Sequence, residues 1–507
     1  MLKRGADRER VLPLLDEAGG VTEASVRKVS AETGVPEADV WGTGSFYSLL
    51  RTGEPITRVC TGLTCRLFGA DDILAGLRER GEPCEPASCL GQCDRAPATL
   101  DPDLNLVTYE QRPRGITPDD PQLPMNLAGT DDDSFTQLRH ALELGPDEVI
   151  DQIEQSGLQG RGGAGFPAHF KWRSVRQQAE TERYLVCNAD EGEPGTFKDR
   201  EVMLRRPNLL LEGLAITAST IGTRDIYIYI RGEFRDERAA LERALEGAAD
   251  RLADYRFVLV DGHGAYICGE ETALIESLEG KRGMPRLKPP YPTEQGFRGK
   301  PTLMHNVETL VCVPAIVERG GAWFKDQGRT EAGSKLYCVS GHVNRPGVYE
   351  LPLGVTLDEL AEAAGGYDGE PRAFSPGGAS SGFLPMSERQ RPLDYRSLAE
   401  AGSMLGSAGV VVLNTSADIA RAARWQLEFF AEESCGQCAP CRIGTRYLHQ
   451  RLEAFLDRGR RSELQHVEEI AWEMDEGSIC GLGMVAAKPL TSAMQHFPEE
   501  FEREGEP

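Results

Sequence analysis

Four cysteines in the C-terminal part of the chain have the spacing of ligands for a redox cluster. Cys435, Cys438 and Cys441 form a C-x2-C-x2-C run, and Cys480 lies farther along the chain. Four thiolates are the ligand set of an iron–sulfur cluster. A structural zinc ion also takes four thiolates, usually from separated pairs, so three ligands within seven residues favour a cluster. The sequence therefore predicts a 4Fe–4S cluster, which needs an electron donor elsewhere in the protein.

A second set of four cysteines lies near the N-terminus. Cys60 and Cys65 are spaced C-x4-C, and Cys89 and Cys93 are spaced C-x3-C. This arrangement is best matched by a 2Fe–2S centre. The alternative is a redox-inert scaffold whose thiols bind nothing. Cys84 lies outside both pairs and is interpreted as a spare thiol.

A glycine-rich segment, residues 160–167, contains the pattern G-x-G-x-x-G. A Rossmann fingerprint follows a strand and opens a helix, whereas the residues before this segment, 147–155, are predicted to be helical. Glycines still let backbone N–H groups approach a phosphate or a flavin closely. Arg161 and Lys171 are expected to supply positive charge there. The alternative is a flexible surface loop.

Carboxylates cluster at the end of a predicted buried strand. Residues 184–187 read as the strand, and residues 188–196 follow it with Asp190, Glu191 and Glu193. So many carboxylates at the edge of a sheet are costly unless they bind something, and ribityl or ribose hydroxyls are suitable donors to them.

Two further segments are suited to an anionic ligand. Residues 266–272 are predicted to open a helix whose N-terminus favours an anion. A basic stretch with Lys281, Arg282, Arg286 and Lys288 is suited to a pyrophosphate or an adenosine ribose. The alternative for the basic stretch is a solvated surface.

Composition limits the classes of function. The chain has 507 residues, which suggests three or four domains at ~150 residues each. Its net charge of −24 argues against nucleic acid as a partner. We find no run of ~18 apolar residues and no secretory signal, so we expect no membrane span and a cytoplasmic location. Thirteen cysteines in such a chain favour metal ligation over disulfides.

The elements that position these residues follow from periodicity and turn signals. Short amphipathic helices are predicted in the first 55 residues, followed by a strand at 57–60 and a helix at about 71–80. A second central strand is predicted at 226–233. Strands at 335–343 and 347–351, a capped helix at 356–366 and a helix at 420–433 complete the prediction. The single cysteines Cys187, Cys268, Cys312 and Cys338 are interpreted as core residues.

The N-terminal segment resembles the thioredoxin-like small subunit of the respiratory NADH dehydrogenase (complex I) module. Residues 39–47 match the helical lead-in of that family, and residues 59–65 and 89–93 match its cluster loops. The interval between Cys65 and Cys89 is shorter than that family has.

Residues 135–495 resemble the NADH-binding flavoprotein subunit of complex I, a family that also serves NAD-dependent formate dehydrogenases and NAD-reducing hydrogenases. The motifs are residues 160–167, 171–172, 188–196, 231–233, 269–274, 299–301 and 306–310. Two positions depart from the family: His305 stands where asparagine is common, and Ser174 where an aromatic residue is expected.

The resemblance implies two binding sites. The residues implied for FMN are Gly160, Arg161, Gly162, Gly163, Ala164, Gly165, Lys171, Asn188, Asp190, Glu191, Tyr266, Gly269, Glu270, His305, Asn306 and Thr309. The nicotinamide is expected to stack near Phe166 and Glu193, which we predict as the catalytic positions. Glu271, Lys288 and Tyr291 are expected on the adenosine side.

These inferences predict an α/β multidomain fold. Residues 1–115 are expected to form a helical lead-in and a thioredoxin-like 2Fe–2S domain, and residues 116–133 a linker. Residues 134–332 are expected to form a Rossmann-like FMN- and NAD-binding domain, and residues 333–405 a ubiquitin-like β-grasp domain of the SLBB type. Residues 406–507 are expected to form a C-terminal helical bundle with the 4Fe–4S cluster.

The predicted function is hydride exchange between NAD and FMN, coupled to one-electron transfer through the iron–sulfur clusters. Because the hydride needs no general base, Glu193 is interpreted as positioning the nicotinamide. The favoured assignment is the β subunit of an NAD-dependent formate dehydrogenase. The alternatives are a subunit of complex I or of an NAD-reducing hydrogenase, and an electron-relay scaffold without flavin. The expected protein partners are a larger iron–sulfur and molybdopterin-type catalytic subunit and a small 2Fe–2S subunit.

Overall fold

The structure is a computed structural model that describes residues 7–109 and 112–502. The N-terminal part begins with three helices, α1 (Val11–Glu17), α2 (Glu23–Thr33) and α3 (Glu37–Gly44). It continues with β1 (Thr57–Cys60), α4 (Leu63–Leu67), α5 (Ala70–Glu79), β2 (Cys84–Ala87), β3 (Ala98–Leu100) and β4 (Leu106–Thr108). The four strands form one sheet in the order β2-β1-β3-β4, in which β2 is parallel to β1 and β3 is antiparallel.

A short strand β5 (Gly115–Ile116) follows, and then the elements of the central part. Its strands are β6 (Tyr184–Ala189), β7 (Asp225–Ile230), β8 (Arg256–Asp261) and β9 (Thr302–Asn306). Its helices are α6 (Thr136–Leu144), α7 (Pro146–Gln155), α8 (Ala168–Arg176), α9 (Lys198–Arg205), α10 (Pro207–Ile221), α11 (Arg235–Gly247), α12 (Glu271–Leu278), α13 (Pro292–Gln295), α14 (Val307–Arg319) and α15 (Gly321–Lys325). The strands are all parallel, in the order β8-β7-β6-β9.

Both faces of this parallel sheet are covered, as parallel sheets require. Alternate residues of β6 enter different cores: Leu185 and Cys187 pack with α10 and α14, whereas Tyr184 and Val186 face the opposite side. The second face is completed by side chains of α1, α2, α3 and α12. The first three helices, which were predicted as the lead-in to the thioredoxin-like domain, therefore pack against the central sheet. The reason is that the segment between β8 and β9 provides only two short helices, α12 and α13.

The next part contains β10 (Ser334–Gly341), β11 (Gly347–Pro352), α16 (Leu357–Ala363), β12 (Pro371–Ser375), β13 (Leu384–Pro385), α17 (Tyr395–Glu400) and β14 (Gly409–Asn414). Its sheet has the order β13-β12-β14-β10-β11-β5. Because β14 pairs with β10 in parallel, the sheet extends beyond the predicted boundary at residue 405. We propose that this domain ends after β14.

Strand β5 comes from the segment predicted as a linker. Gly115 and Ile116 pair in parallel with Gly347 and Val348 of β11. Farther along, the carboxylate of Glu350 accepts hydrogen bonds from the backbone N–H groups of Met125 and Asn126, at 3.1 and 2.8 Å. The predicted linker is thus packed along the edge of the β10–β14 sheet, because this edge offers unpaired backbone groups and a buried carboxylate.

The C-terminal part is helical. It contains α18 (Ile419–Glu433), α19 (Ala439–Arg458), α20 (Val467–Gly477), α21 (Gly481–Val485) and α22 (Lys488–His496). Asp418 caps α18 by accepting a hydrogen bond from the N–H of Arg421 at 2.8 Å. Among the described residues, no helix is both long and apolar enough to cross a membrane.

The crossing of α10 and α14 gives a test of the packing. A Cβ atom at Gly213 would lie 2.2 Å from the carbonyl oxygen of Leu310, so Gly213→Ala should lower the free energy of unfolding by roughly 1–3 kcal/mol. The matched control is Gly247→Ala at the end of α11, where a Cβ meets nothing within 4 Å. That change should leave the stability unchanged or raise it by up to about 1 kcal/mol. Urea denaturation would measure both, and equal effects would contradict the close approach of the two helices.

Candidate functional site

A cavity of about 290 Å³ lies where the central part, the β10–β14 sheet and the C-terminal helices meet. We call it the central cavity. It is located at the carboxyl ends of β6 and β9, and these neighbouring strands flank the point where the strand order of the sheet reverses. Ligands bind at such switch points in open parallel sheets. The lining residues are Gly162, Gly163, Ala164, Asn188, Asp190, Glu191, Gly192, Glu193, Thr196, Lys198, Asp199, Tyr266, Ile267, Gly269, Glu270, Asn306, Gly377, Ser380, Met404, Gly406, Ser407, Gly481, Leu482 and Val485.

The glycine-rich loop connects α7 to α8, so a helix precedes it, as predicted. Its ends are tied by the hydrogen bond from Gly160 N–H to the carbonyl of Phe166, at 2.8 Å. Gly165 has a φ of +63°, and a Cβ there would lie 2.9 Å from the ring of Tyr395. Tyr395 also donates a hydrogen bond to the carbonyl of Gly160 at 3.2 Å. The loop is therefore held against α17 of the neighbouring sheet domain, and Gly162 and Gly163 are left on the cavity wall.

Arg161 does not supply charge to this cavity, which corrects the prediction. Its side chain is fully buried, and Nη2 donates to the carbonyl of Ala332 at 3.0 Å. Its backbone N–H donates to Oγ1 of Thr309 at 2.9 Å. The guanidinium thus anchors the loop on its far side, because the neighbouring domain provides a buried carbonyl there.

The cation on the cavity wall is Lys198, which was not predicted from the sequence. Its ammonium group lies 2.6 Å from Asp199 and 3.2 Å from Glu308, and it donates to Oδ1 of Asn306 at 3.1 Å. Burial lowers the pKa of Lys198, but Asp199 and Glu308 outweigh this effect and hold the pKa above its usual value. Lys198 therefore stays protonated. The signal available in the sequence was its position just after the carboxylate-rich segment.

The three clustered carboxylates have different surroundings. Glu191 accepts hydrogen bonds from the N–H groups of Asp199 and Arg200, at 3.0 and 3.1 Å, so it caps the start of α9. Glu193 accepts from the hydroxyl of Tyr266 and from the N–H of Ser380 at 2.9 Å. The expectation that all these carboxylates await ligand hydroxyls is thus wrong for Glu191, because the helix uses it.

Asp190 lines the cavity and keeps one carboxylate oxygen without a partner in the described ranges of the chain. Among the described residues, its Oδ2 atom is buried and has no hydrogen-bond partner. Burial raises the pKa of Asp190 to about 8; Glu233 and Glu433 act in the same direction and Arg231 opposes them. A protonated Asp190 can donate a hydrogen bond to a ligand oxygen.

This pKa gives a prediction for stability. The unfolded carboxyl group has its ordinary pKa of 3.8, so between about pH 4 and 8 the folded protein holds one more proton at Asp190 than the unfolded chain. The free energy of unfolding of the flavin-free protein therefore falls as pH rises through this window. Asp190→Asn should flatten that fall and be more stable at pH 8 than the unmutated protein by a few kcal/mol. Urea denaturation at pH 5 and pH 8 measures it, with the exposed Asp250→Asn as control, and an unchanged pH dependence would contradict the burial of Asp190.

The start of α12 is occupied by the chain itself. Glu270 accepts hydrogen bonds from the N–H groups of Thr272 and Ala273, at 2.8 and 2.9 Å. The prediction that this helix N-terminus is open to an anionic ligand is therefore wrong, since the Glu270 carboxylate takes that place.

Glu271, the first residue of this helix, connects two lysines. It lies 2.7 Å from the ammonium of Lys171 and 2.9 Å from that of Lys288. These three residues are outside the cavity lining, as are two exposed aromatic side chains, Phe166 at 51% and Tyr291 at 52% exposure. They offer charge and apolar surface for a ligand larger than the cavity.

Ten of the predicted positions lie outside the cavity lining. His305 is buried, and its Nε2 atom accepts a hydrogen bond from the indole of Trp172 at 2.8 Å. Burial lowers the pKa of His305 to about 3, with Lys171 acting in the same direction, so this imidazole is neutral. The predicted residues outside the cavity lining are Gly160, Arg161, Gly165, Phe166, Lys171, Glu271, Lys288, Tyr291, His305 and Thr309.

The C-terminal cysteines converge beside the cavity. Cys435 and Cys438 lie between α18 and α19, Cys441 lies in the first turn of α19, and Cys480 precedes α21. All four belong to or pack against one apolar cluster. Burial raises the pKa of Cys441 to about 12 and that of Cys480 to about 11, and the neighbouring cysteines add to the rise. Only a bound cation makes four such thiolates favourable at neutral pH, so the donor set fits an iron–sulfur cluster.

The position of Cys480 links this group to the cavity. The next two residues, Gly481 and Leu482, belong to the cavity lining. They were not predicted from the sequence, although their place directly after a predicted ligand was a signal.

The N-terminal cysteines also converge. Cys60 ends β1, Cys65 lies in α4, and Cys89 and Cys93 lie in the loop after β2. The thiol of Cys60 interacts with those of Cys65 and Cys89, and Cys89 interacts with Cys93. All four are buried. Their number and burial fit a 2Fe–2S cluster.

Four families match successive parts of the chain. The thioredoxin-like [2Fe-2S] ferredoxin family matches residues 2–111, and the Nuo51 FMN-binding domain matches residues 153–315. The SLBB domain matches residues 336–384, and the NADH-ubiquinone oxidoreductase-F iron-sulfur binding region matches residues 421–504. These matches confirm the predicted fold class and the predicted FMN, 4Fe–4S and 2Fe–2S cofactors.

Named relatives cover different shares of the chain. The NADH-quinone oxidoreductase F 2 subunit of Rhizobium meliloti is 46% identical over 72% of this chain and 91% of its own length. The NADH-quinone oxidoreductase F subunit of Rickettsia typhi is 44% identical over 71% of this chain and 90% of its own length. The crystal structure of an NAD+-reducing [NiFe]-hydrogenase in the air-oxidized state contains a chain with a TM-score of 0.91 and 32% identity, covering 100% of this chain and 95% of that one.

Proposed function

The chain belongs to the family of NADH-quinone oxidoreductase F subunits, and we propose that it exchanges hydride between NAD(H) and FMN in the central cavity and passes single electrons to its iron–sulfur clusters. It is an NAD-dependent oxidoreductase subunit. The observation that carries the proposal is the shared wall of the cavity. Gly162, Gly163 and Asp190 line the same cavity as Gly481 and Leu482, which directly follow the proposed cluster ligand Cys480. A flavin bound in this cavity would therefore lie close to a cluster bound by Cys480.

The cavity fits a flavin by the chemistry of its walls. Gly162 and Gly163 leave room for close backbone approach, and Oδ2 of Asp190 is a buried polar atom that needs a partner. Lys198 supplies positive charge, which an acidic chain must provide locally in order to bind an anionic cofactor. When bound, FMN supplies the conversion between two-electron hydride exchange and one-electron transfer.

The side chains of this protein bind and orient the ligands, and they exclude water. Glu193 is held by Tyr266 and Ser380, so its carboxylate is fixed and acts by positioning the nicotinamide. Leu482 and Val485 make an apolar part of the wall that keeps water away from the reacting atoms.

The dinucleotide is bound at the mouth of the cavity. Lys171 and Lys288, both paired to Glu271, are placed to meet its phosphates and ribose. Phe166 and Tyr291 present exposed ring faces for its aromatic rings.

The finer proposal concerns the partner that supplies or takes the electrons. The fused thioredoxin-like segment supports a β subunit of a formate dehydrogenase, with a larger molybdopterin-type catalytic subunit and a small 2Fe–2S subunit as partners. The second candidate is the corresponding subunit of an NAD-reducing hydrogenase, supported by the structural likeness over the whole chain. A complex I subunit is less supported, because the F subunits above match only 71–72% of this chain.

Flavin content and turnover test the core of the proposal. Protein loaded with FMN and iron should release one FMN per chain on acid treatment and should oxidise NADH with ferricyanide. Flavin-free protein is the control and should have no such activity. A scaffold without flavin would release none and would not gain activity on addition of FMN.

Co-purification tests the finer proposal. The complex isolated through this chain should reduce NAD+ when formate is added. Reduction of NAD+ by hydrogen, and not by formate, would assign the chain to the second candidate.

A further inference from the structure

The N-terminal cluster loop is docked on the central part by two buried arginines. Residues 89–95, which contain Cys89 and Cys93, lie against α9 and the end of β7. Arg200 donates to the carbonyl of Gly91 at 2.8 Å and pairs with Asp94 at 2.8 Å. Arg231 follows β7 and is 7% exposed.

Arg231 differs from Arg200 in what it connects. Its Nη2 atom donates to the carbonyl of Cys89 at 2.6 Å, and its Nη1 atom donates to the carbonyl of Glu191 at 2.6 Å. Cys89 is a proposed cluster ligand, and Glu191 belongs to the central cavity lining. One guanidinium therefore bonds directly to the backbone of both sites.

Within the part of the chain that the structure describes, the charge of Arg231 has one ion-pair partner. Glu233 pairs with it at 2.8 Å and is itself 7% exposed on its side chain. The positive charge thus lies within hydrogen-bond distance of the backbone of a proposed cluster ligand, in a region where burial limits screening.

We propose that Arg231 is a positioning residue that joins the N-terminal cluster to the flavin cavity, and that its positive charge raises the reduction potential of the cluster bound by Cys60, Cys65, Cys89 and Cys93. This rests on the proposed function, namely that these cysteines hold a cluster. Reduction adds one electron to the cluster, and a fixed cation nearby stabilises the added negative charge. Arginine remains charged at every relevant pH, so the effect does not depend on pH.

The two hydrogen bonds of Arg231 also predict an effect of side-chain geometry, which can be measured separately from the effect of its charge. Lysine at position 231 keeps the charge but cannot reproduce the planar fork that reaches two carbonyls. In Arg231→Lys, the ratio of reduced to oxidised cluster at a fixed ambient potential should therefore stay within about threefold of that in the unmutated protein. FMN binding should weaken, because the backbone of Glu191 is held less firmly.

The test is a redox titration of the holoprotein followed by electron paramagnetic resonance. Glu233→Gln is compared with the double variant Arg231→Gln/Glu233→Gln, because this pair differs only in the arginine and leaves no unpaired buried carboxylate. At a fixed ambient potential, the ratio of reduced to oxidised 2Fe–2S cluster should be about tenfold lower in the double variant, which equals 59 mV for a one-electron couple. The 4Fe–4S signal is recorded in the same samples and should shift less, because Arg231 bonds directly to the backbone of Cys89.

Glu233→Gln alone gives an independent measurement. Removing the opposing negative charge should raise the same ratio by threefold or more relative to the unmutated protein. A 2Fe–2S signal whose potential is the same in all variants would overturn the inference and leave the proposed function standing. Absence of a 2Fe–2S signal from the unmutated protein, with FMN and the 4Fe–4S cluster present, would overturn the inference together with the N-terminal cluster.

Discussion

Replacing Cys480 by serine should abolish the C-terminal cluster and cut electron delivery to a partner protein at least about 100-fold. We propose that this residue provides the fourth thiolate, and a hydroxyl group is a poor substitute at an iron–sulfur cluster. Iron content should fall from about six to about two atoms per chain, as expected for loss of the 4Fe–4S and retention of the 2Fe–2S cluster. Iron analysis and NADH-dependent reduction of the partner would measure the two effects.

The matched control is Cys312→Ser. The Cys312 thiol lies in the core and donates to the carbonyl of Glu308 at 3.2 Å, a bond that a serine hydroxyl can keep. NADH oxidation with ferricyanide should change less than threefold in Cys480→Ser, because a small oxidant takes electrons at the flavin. Full iron content in Cys480→Ser would contradict the assignment of this ligand.

Replacing Gly269 by valine should weaken FMN binding at least about 100-fold, which corresponds to about 2.7 kcal/mol. A Cβ at this position meets the carbonyl oxygen of Asp190 at 3.4 Å, an ordinary contact, so the fold tolerates the change. The valine methyl groups would instead occupy part of a cavity of only about 290 Å³. Fluorescence titration of the flavin-free protein with FMN would measure the affinity, and circular dichroism would check the fold.

Gly247→Val is the control for this substitution. Position 247 lies at the end of α11, where an added Cβ meets nothing within 4 Å, and its FMN affinity should equal that of the unmutated protein. Unaltered FMN binding in Gly269→Val would show that the flavin does not occupy the central cavity.

Patterns of short sequence range were enough to predict the chemistry. The spacing of Cys435, Cys438 and Cys441 favours a cluster by itself, since the three ligands lie within seven residues. The strand at 184–187 is recognisable because a parallel strand buried on both faces is a continuous apolar run. Asn188 and Asp190 then follow at its carboxyl end, where the structure places the cavity.

Roles that depend on distant segments could not be predicted. Arg161 looks like a ligand for an anion, but the carbonyl of Ala332 in another part of the chain takes its guanidinium. Glu191 looks free, but α9 folds back so that its first N–H groups reach the carboxylate. Lys198 is the first residue of α9, so the same fold of the chain puts it on the cavity wall. Local sequence contains no information on which of several polar groups a later segment will use.

The packing of α1, α2 and α3 is a second feature that could not be predicted from local sequence. Their amphipathic pattern predicts an apolar face but does not say which core receives it. The central sheet has a face that α12 and α13 alone leave uncovered, and this decides the outcome.

Strand β5 has a consequence for how the protein is assembled. It follows the N-terminal cluster domain in the chain and is hydrogen-bonded to β11 of the domain that forms part of the wall of the central cavity. Covalent fusion and this strand pairing together fix a one-to-one stoichiometry between the two iron–sulfur sites. Tethering keeps their effective concentration high, so the N-terminal unit cannot dissociate on dilution or be exchanged for another copy.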